Sequence, residues 1–214
     1  MQLQKMDHVE QRVRSYWYTD GLAELVGGGV FMLLGLFFAG QDWFRDHSLA
    51  QALFGSSLVI VLIWGALATR WIVNALKTRL TYPRTGYVSY RVDQKHAHRR
   101  RLMGAIAGAI FAALLVNIAV RVGSVSWVPA ISGLVVGVIL VYMKAQTSGL
   151  KRFYFLSGFS VILGLALSFG DLLLGYRLAL FYGLMGLAFL VSGGIRLRHY
   201  LAENALPSEA PRER

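Results

Sequence analysis

The sequence predicts an all-α polytopic membrane protein, with six transmembrane helices in three hairpins and interfacial helical extensions. Three observations predict it. Of 214 residues, 56% are hydrophobic and only 15% charged, far from the averages of soluble domains. The charges fall between apolar segments long enough to cross a bilayer. Gly is abundant at 23 residues and Pro scarce at 4, which suits close-packed transmembrane helices.

Residues 1–20 form an amphipathic cytoplasmic segment. Leu3, Met6, Val9, Val13, Tyr16 and Trp17 recur at helical spacing, with Lys5, Asp7, Glu10, Arg12 and Arg14 between them. Two readings fit: a helix lying on the inner membrane surface, or one packed against the central loop. A cleavable signal peptide is not expected, because Asp7 and Glu10 interrupt the start and no cleavage site follows.

The first transmembrane hairpin covers 21–69. Its spans are Gly21–Gly40 and Leu49–Thr69, the first about 30 Å long at 1.5 Å per residue. The second helix continues past Arg70 as an interfacial extension. Trp71, Ile72, Ala75, Leu76 and Leu80 make its apolar face, Asn74, Lys77 and Arg79 its polar one, and it stops before Pro83. A basic cytoplasmic loop occupies 70–101. Transmembrane helices three to six lie within 102–195, with spans at Leu102–Val120, Trp127–Met143, Phe153–Gly170 and Leu178–Ile195. A basic cytoplasmic tail, 196–214, begins as a helical turn and ends in Pro207 and Pro211.

A net charge of +11 in a soluble protein would point to nucleic acid. Its distribution argues otherwise. With the spans placed as above, 19 of the 22 basic residues fall on the cytoplasmic side, and the outer side sums to zero. The whole excess is the positive-inside signal, which places both termini in the cytoplasm and the chain in the cell (inner) membrane. No nucleic-acid partner is expected.

Candidate chemistry is sparse. Without cysteine there are no disulfides, thiolate metal sites or cysteine nucleophiles. The five histidines lie outside the apolar cores and no HExxH motif occurs, so neither a metal site nor another cofactor is expected. Serines within the spans lack a base at the same depth, and no catalytic residue is assigned. The intramembrane polar candidates are Glu24 and Asn117. Glu24, with Asp20, suits a helix N-terminus electrostatically, and the alternative is a proton or cation ligand. Asp171 and Arg177 lie together at the outer boundary, where they can pair. Small-residue pairs Gly104/Gly108, Gly133/Gly137, Ser160/Gly164 and Ala179/Gly183 predict close helix packing, within the bundle or between copies. Gly29, Gly35, Leu36 and Asp42 are echoed 129 positions later by Gly158, Gly164, Leu165 and Asp171, a pattern that chance can produce in helices this rich in Gly and Leu.

The least generic stretch is Thr81-Tyr82-Pro83-Arg84-Thr85-Gly86-Tyr87-Val88, where tyrosines alternate with arginine around a turn. With the IRLRHYLAENALP stretch after the last span, it resembles a group of uncharacterised bacterial multi-pass inner-membrane proteins that carry a juxtamembrane TYPRTGYV-like segment. The resemblance covers most of the chain and implies location and fold, with no established activity. The functional expectation is a non-enzymatic accessory or regulatory protein whose basic cytoplasmic surface binds anionic lipid or a protein partner. Tyr82, Arg84, Tyr87, Arg91, Arg99, Arg100 and Arg101 are the candidate contacts. The alternative is a small transporter or permease subunit.

Overall fold

The structure, a computed structural model, describes residues 20–49, 65, 68–69, 71–81, 125–146 and 151–204. Every regular element among them is a helix. α1 is Leu22–Trp43; α2 is Val128–Gln146, entered through a 3-10 turn at Val125–Trp127; α3 is Arg152–Ser168; α4 is Leu174–Glu203. Three segments, Leu22–Trp43, Val125–Met143 and Leu174–Glu203, are long and apolar enough to cross a membrane. α3, with 17 residues, is a shorter apolar helix. The third predicted span, with Gly104, Gly108 and Asn117, and the predicted contacts from Tyr82 to Arg101 lie outside the described residues.

Two antiparallel helix pairs make up the described bundle, α1 with α4 and α2 with α3. Small residues set both contacts. Along α1 and its N-cap, Gly21, Gly28 and Gly35 are seven apart, and along α4 so are Ala179, Gly186 and Gly193. A period of seven keeps small residues on one side of a helix, and here the two sides face each other. A methyl carbon added at Gly28 would lie 2.8 Å from the carbonyl oxygen of Gly186, and one at Gly193 would lie 2.8 Å from the carbonyl oxygen of Gly21. Gly21 is doubly constrained, because its φ of +77° is a left-handed conformation and its α-carbon abuts the backbone at Gly193.

In the second pair, Gly133 and Gly164 meet where an added methyl carbon at either would come within 2.5 Å of backbone oxygen on the other helix. Ser157 and Ser160 donate hydrogen bonds to the carbonyls of Gly137 and Gly133, each at 2.9 Å. The predicted pairs Gly133/Gly137, Ser160/Gly164 and Ala179/Gly183 therefore pack helices of one chain together. Gly35 and Gly164, partners in the 129-residue echo, occupy like places, each at a close approach in its own pair.

Between the pairs runs a core of Leu140, Phe153, Leu156, Phe181, Met185 and Phe189. Phe31 and Phe38 of α1 pack on Tyr182 of α4, with centroids 5.7 and 5.4 Å away. Many of the remaining large apolar side chains point outward, among them Leu36, Phe155, Ile162 and Leu187. In water that surface would be costly, whereas hydrocarbon accepts it.

A further helical stretch lies against α1. Gly65 sits beside Val30 and Lys77 beside Asp20, so this stretch runs antiparallel to the first half of α1. Residues 71–76 are α-helical and Lys77–Thr81 form a π turn. One expectation for this extension is corrected. Its buried residues are Val73 and Lys77, and Trp71 of the predicted apolar face is 73% exposed, open to a membrane interface. Lys77, predicted on the polar face, is fully buried because an acidic partner waits inside.

Candidate functional site: a buried ionic cluster at one end of the bundle

The start of α1, the π turn, the start of α3 and the last third of α4 converge at one end of the bundle. Each brings a charged or polar side chain. Asp20 precedes α1, and its Oδ1 accepts a hydrogen bond from the backbone N–H of Leu22 at 3.2 Å. Its Oδ2 lies 3.0 Å from the ammonium of Lys77, and both side chains are 1% exposed. One turn later, Glu24 Oε1 is 2.8 Å from the guanidinium of Arg152, the first residue of α3. Glu24 Oε2 accepts a hydrogen bond from the Ser192 hydroxyl of α4 at 2.8 Å. Arg196, one turn beyond Ser192, acts electrostatically on both Glu24 and Arg152.

The electrostatics follow from burial. Taking Lys77 out of water pushes its ammonium below the usual lysine range, and the adjacent Asp20 carboxylate pushes it partly back. Arg152 is steadied from its other side, where its guanidinium lies 5.7 Å from the centroid of the Phe153 ring. Arg79, Lys151 and Arg198, each within two residues of Lys77, Arg152 or Arg196, are exposed, as are His199 and Glu203.

The opposite end is built differently. Asp42, at the end of α1, accepts the backbone N–H of Tyr176 at 3.0 Å and so caps α4. Ser168 does the same for α2: its hydroxyl oxygen accepts the Ala130 N–H at 2.9 Å and donates to the Gly164 carbonyl at 2.9 Å. The predicted Asp171–Arg177 pair does not form. Asp171 is exposed, and Arg177 instead directs its guanidinium to the Ser126 carbonyl at 3.4 Å. The closing acid of the echo therefore plays two parts, a cap at Asp42 and a solvated group at Asp171.

Of the sequence-predicted site residues, Glu24 alone lies within the described part of the chain, held by Arg152 and Ser192. Sequence reasoning missed Arg152, Ser192 and Arg196 as its neighbours, and Lys77 as the partner of Asp20. One signal pointed to Lys77: with Val73 one turn before it, it continues an apolar stripe. Among the described residues no group of three or more His, Asp or Glu side chains could hold a metal ion.

An apolar groove of about 410 Å³ lies between α1 and α4 toward the Asp42 end, lined by Met32, Leu36, Leu172, Tyr176 and Leu180. No protein family, curated protein or solved structure matches the chain.

Proposed function

We propose that the chain is a six-span inner-membrane protein, akin to the bacterial multi-pass proteins with a TYPRTGYV-like segment. In this reading its termini and its ionic end face the cytoplasm. It acts there as a non-enzymatic accessory or regulatory protein. Its basic surface, from Tyr82, Arg84, Tyr87 and Arg91 to Arg99, Arg100 and Arg101, engages anionic lipid or a protein partner.

The observation that supports this reading best is the contrast between the two ends. Lys77, Arg79, Lys151, Arg152, Arg196 and Arg198 outnumber Asp20, Glu24 and Glu203 at the ionic end, whereas Arg45 and Arg177 stand against Asp42, Asp46 and Asp171 at the other. Near the inner leaflet, each basic residue gains about 1 kcal/mol from anionic lipid within a Debye length. The engagement of Glu24 by Arg152 and Ser192 bears on the transporter alternative, since a carboxylate already matched by a guanidinium is a poor carrier of protons or cations.

The test is binding of the purified protein to anionic against neutral vesicles. It compares wild type with Arg84→Lys and with Lys at Arg99, Arg100 and Arg101 together. A fork of donors matters for phosphate recognition but not for topology, so a selective loss at Arg84→Lys supports recognition. Equal binding by all variants reduces the loop to a topological anchor. Loss of transport of any solute on Asn117→Ala, with the fold intact, would instead favour the permease reading.

A further inference from the structure

We infer that the Asp20–Lys77 ion pair is a positional lock that holds the π turn at Lys77–Thr81 and so sets which of Arg79 and Leu80 faces outward. The pair is fully buried and 3.0 Å long. Apolar side chains of similar volume usually serve stability as well as a buried ion pair or better, and the best-attested use of such pairs is to select one arrangement over another. The π turn supplies the two arrangements. It is rare, wider than an α turn, and contains one more residue per hydrogen-bonded ring. It begins at the residue whose ammonium must reach inward to Asp20. Thr78, exposed, turns its hydroxyl back to the Ala75 carbonyl at 2.8 Å, which satisfies a backbone acceptor in the last α turn before the π geometry.

Were the same residues to relax to α geometry, the end of the turn would rotate by about 100° and advance by about 1.5 Å, the increment of one residue. Arg79 and Leu80 would change places relative to the bundle surface. The lock thus connects a contact inside the bundle to the azimuth of Arg79 at its surface.

The chain has no cysteine, so single cysteines report position cleanly. We would place cysteine at Arg79 or at Leu80, in the otherwise native protein and in the double variant Asp20→Asn/Lys77→Met, all in lipid nanodiscs. Asn keeps the oxygen that accepts the Leu22 N–H, and Met keeps most of the lysine's length. In the native protein, maleimide should label position 79, which is exposed, faster than position 80, which is half-buried. In the double variant the ratio of the two rates should fall severalfold.

A Val30→Cys/Gly65→Cys disulfide monitors the upstream helix, since a methyl carbon at Gly65 would lie 3.3 Å from Val30 Cγ1. It should form equally in both backgrounds. An unchanged labelling ratio overturns the proposal. So does loss of that disulfide, which would mean that the pair positions the whole helix. Failure of the double variant to fold also overturns it, because the pair would then be a stabilising contact and not a selector.

Discussion

Gly28→Ala and Gly29→Ala add the same methyl group to neighbouring residues of α1, and the structure assigns them opposite effects. Each replacement removes the conformational freedom of glycine, which favours the helix by about 0.5–1 kcal/mol. At Gly29 nothing lies within 4 Å of the new carbon, so that gain stands. At Gly28 the carbon would lie 2.8 Å from the Gly186 carbonyl oxygen, 2.9 Å from the Leu190 nitrogen and 3.0 Å from the Leu190 Cγ. Two of the three are backbone atoms of a continuous helix and cannot swing away.

α1 and α4 must therefore part by several tenths of an ångström along the seam, at a cost of about 1–3 kcal/mol for overpacking. The propensity gain is common to both variants, so their difference isolates the packing cost. Gly29→Ala should be up to about 1 kcal/mol more stable than wild type, and Gly28→Ala should be about 1–3 kcal/mol less stable than Gly29→Ala. Thermal aggregation in mild detergent, followed by size-exclusion chromatography, ranks the three proteins. Equal stabilities for the two variants would refute the seam.

The other predictions concern polar contacts and orientation. Glu24→Gln leaves a part-buried guanidinium beside a neutral partner and should cost about 3 kcal/mol in the same assay. Glu24→Gln with Arg152→Leu should recover much of that loss, since no buried charge is left behind. Asp42→Ala removes the cap on Tyr176 and should destabilise by about 1 kcal/mol, with faster hydrogen exchange confined to the first turn of α4, while Asp42→Asn should lose less. Reporter fusions after Ser48, Ser126 and Gly175 should read outside, and those after Arg91, Gly149 and Glu209 inside; one reversed position refutes the six-span arrangement.

The helical, membrane-compatible character was legible in the sequence because hydropathy and period are local quantities. α1, for example, begins at Leu22 where Gly21 was expected and runs to Trp43 where Gly40 was expected. α4 runs past its apolar stretch at both ends, from Leu174 to Glu203 around the expected Leu178–Ile195. Hydropathy marks what hydrocarbon tolerates and not where hydrogen bonding stops. The ionic cluster was illegible for a different reason. Its contacts join residues far apart, 168 positions for Ser192 to Glu24, and no periodicity encodes a partner on another helix. Lys77 was misplaced because a helical wheel cannot tell a solvated cation from one facing a buried carboxylate. The seven-residue spacing of Gly21, Gly28 and Gly35 was present in the sequence, but it is hidden among 23 glycines until the facing helix is known.

A seam of small residues repeating every seven has a translational degeneracy. Slid along each other by one repeat, about 10.5 Å, α1 and α4 would again bring small residue to small residue, and van der Waals packing alone would scarcely distinguish the two phases. What differs is at the extremities. Only one phase brings Asp42 to the amide of Tyr176 and Glu24 to Ser192 together. The bundle therefore works like a vernier, in which an undifferentiated middle supplies adhesion and two polar marks near its ends read the scale. Substitutions at the marks should make the pairing plural before they make it weak.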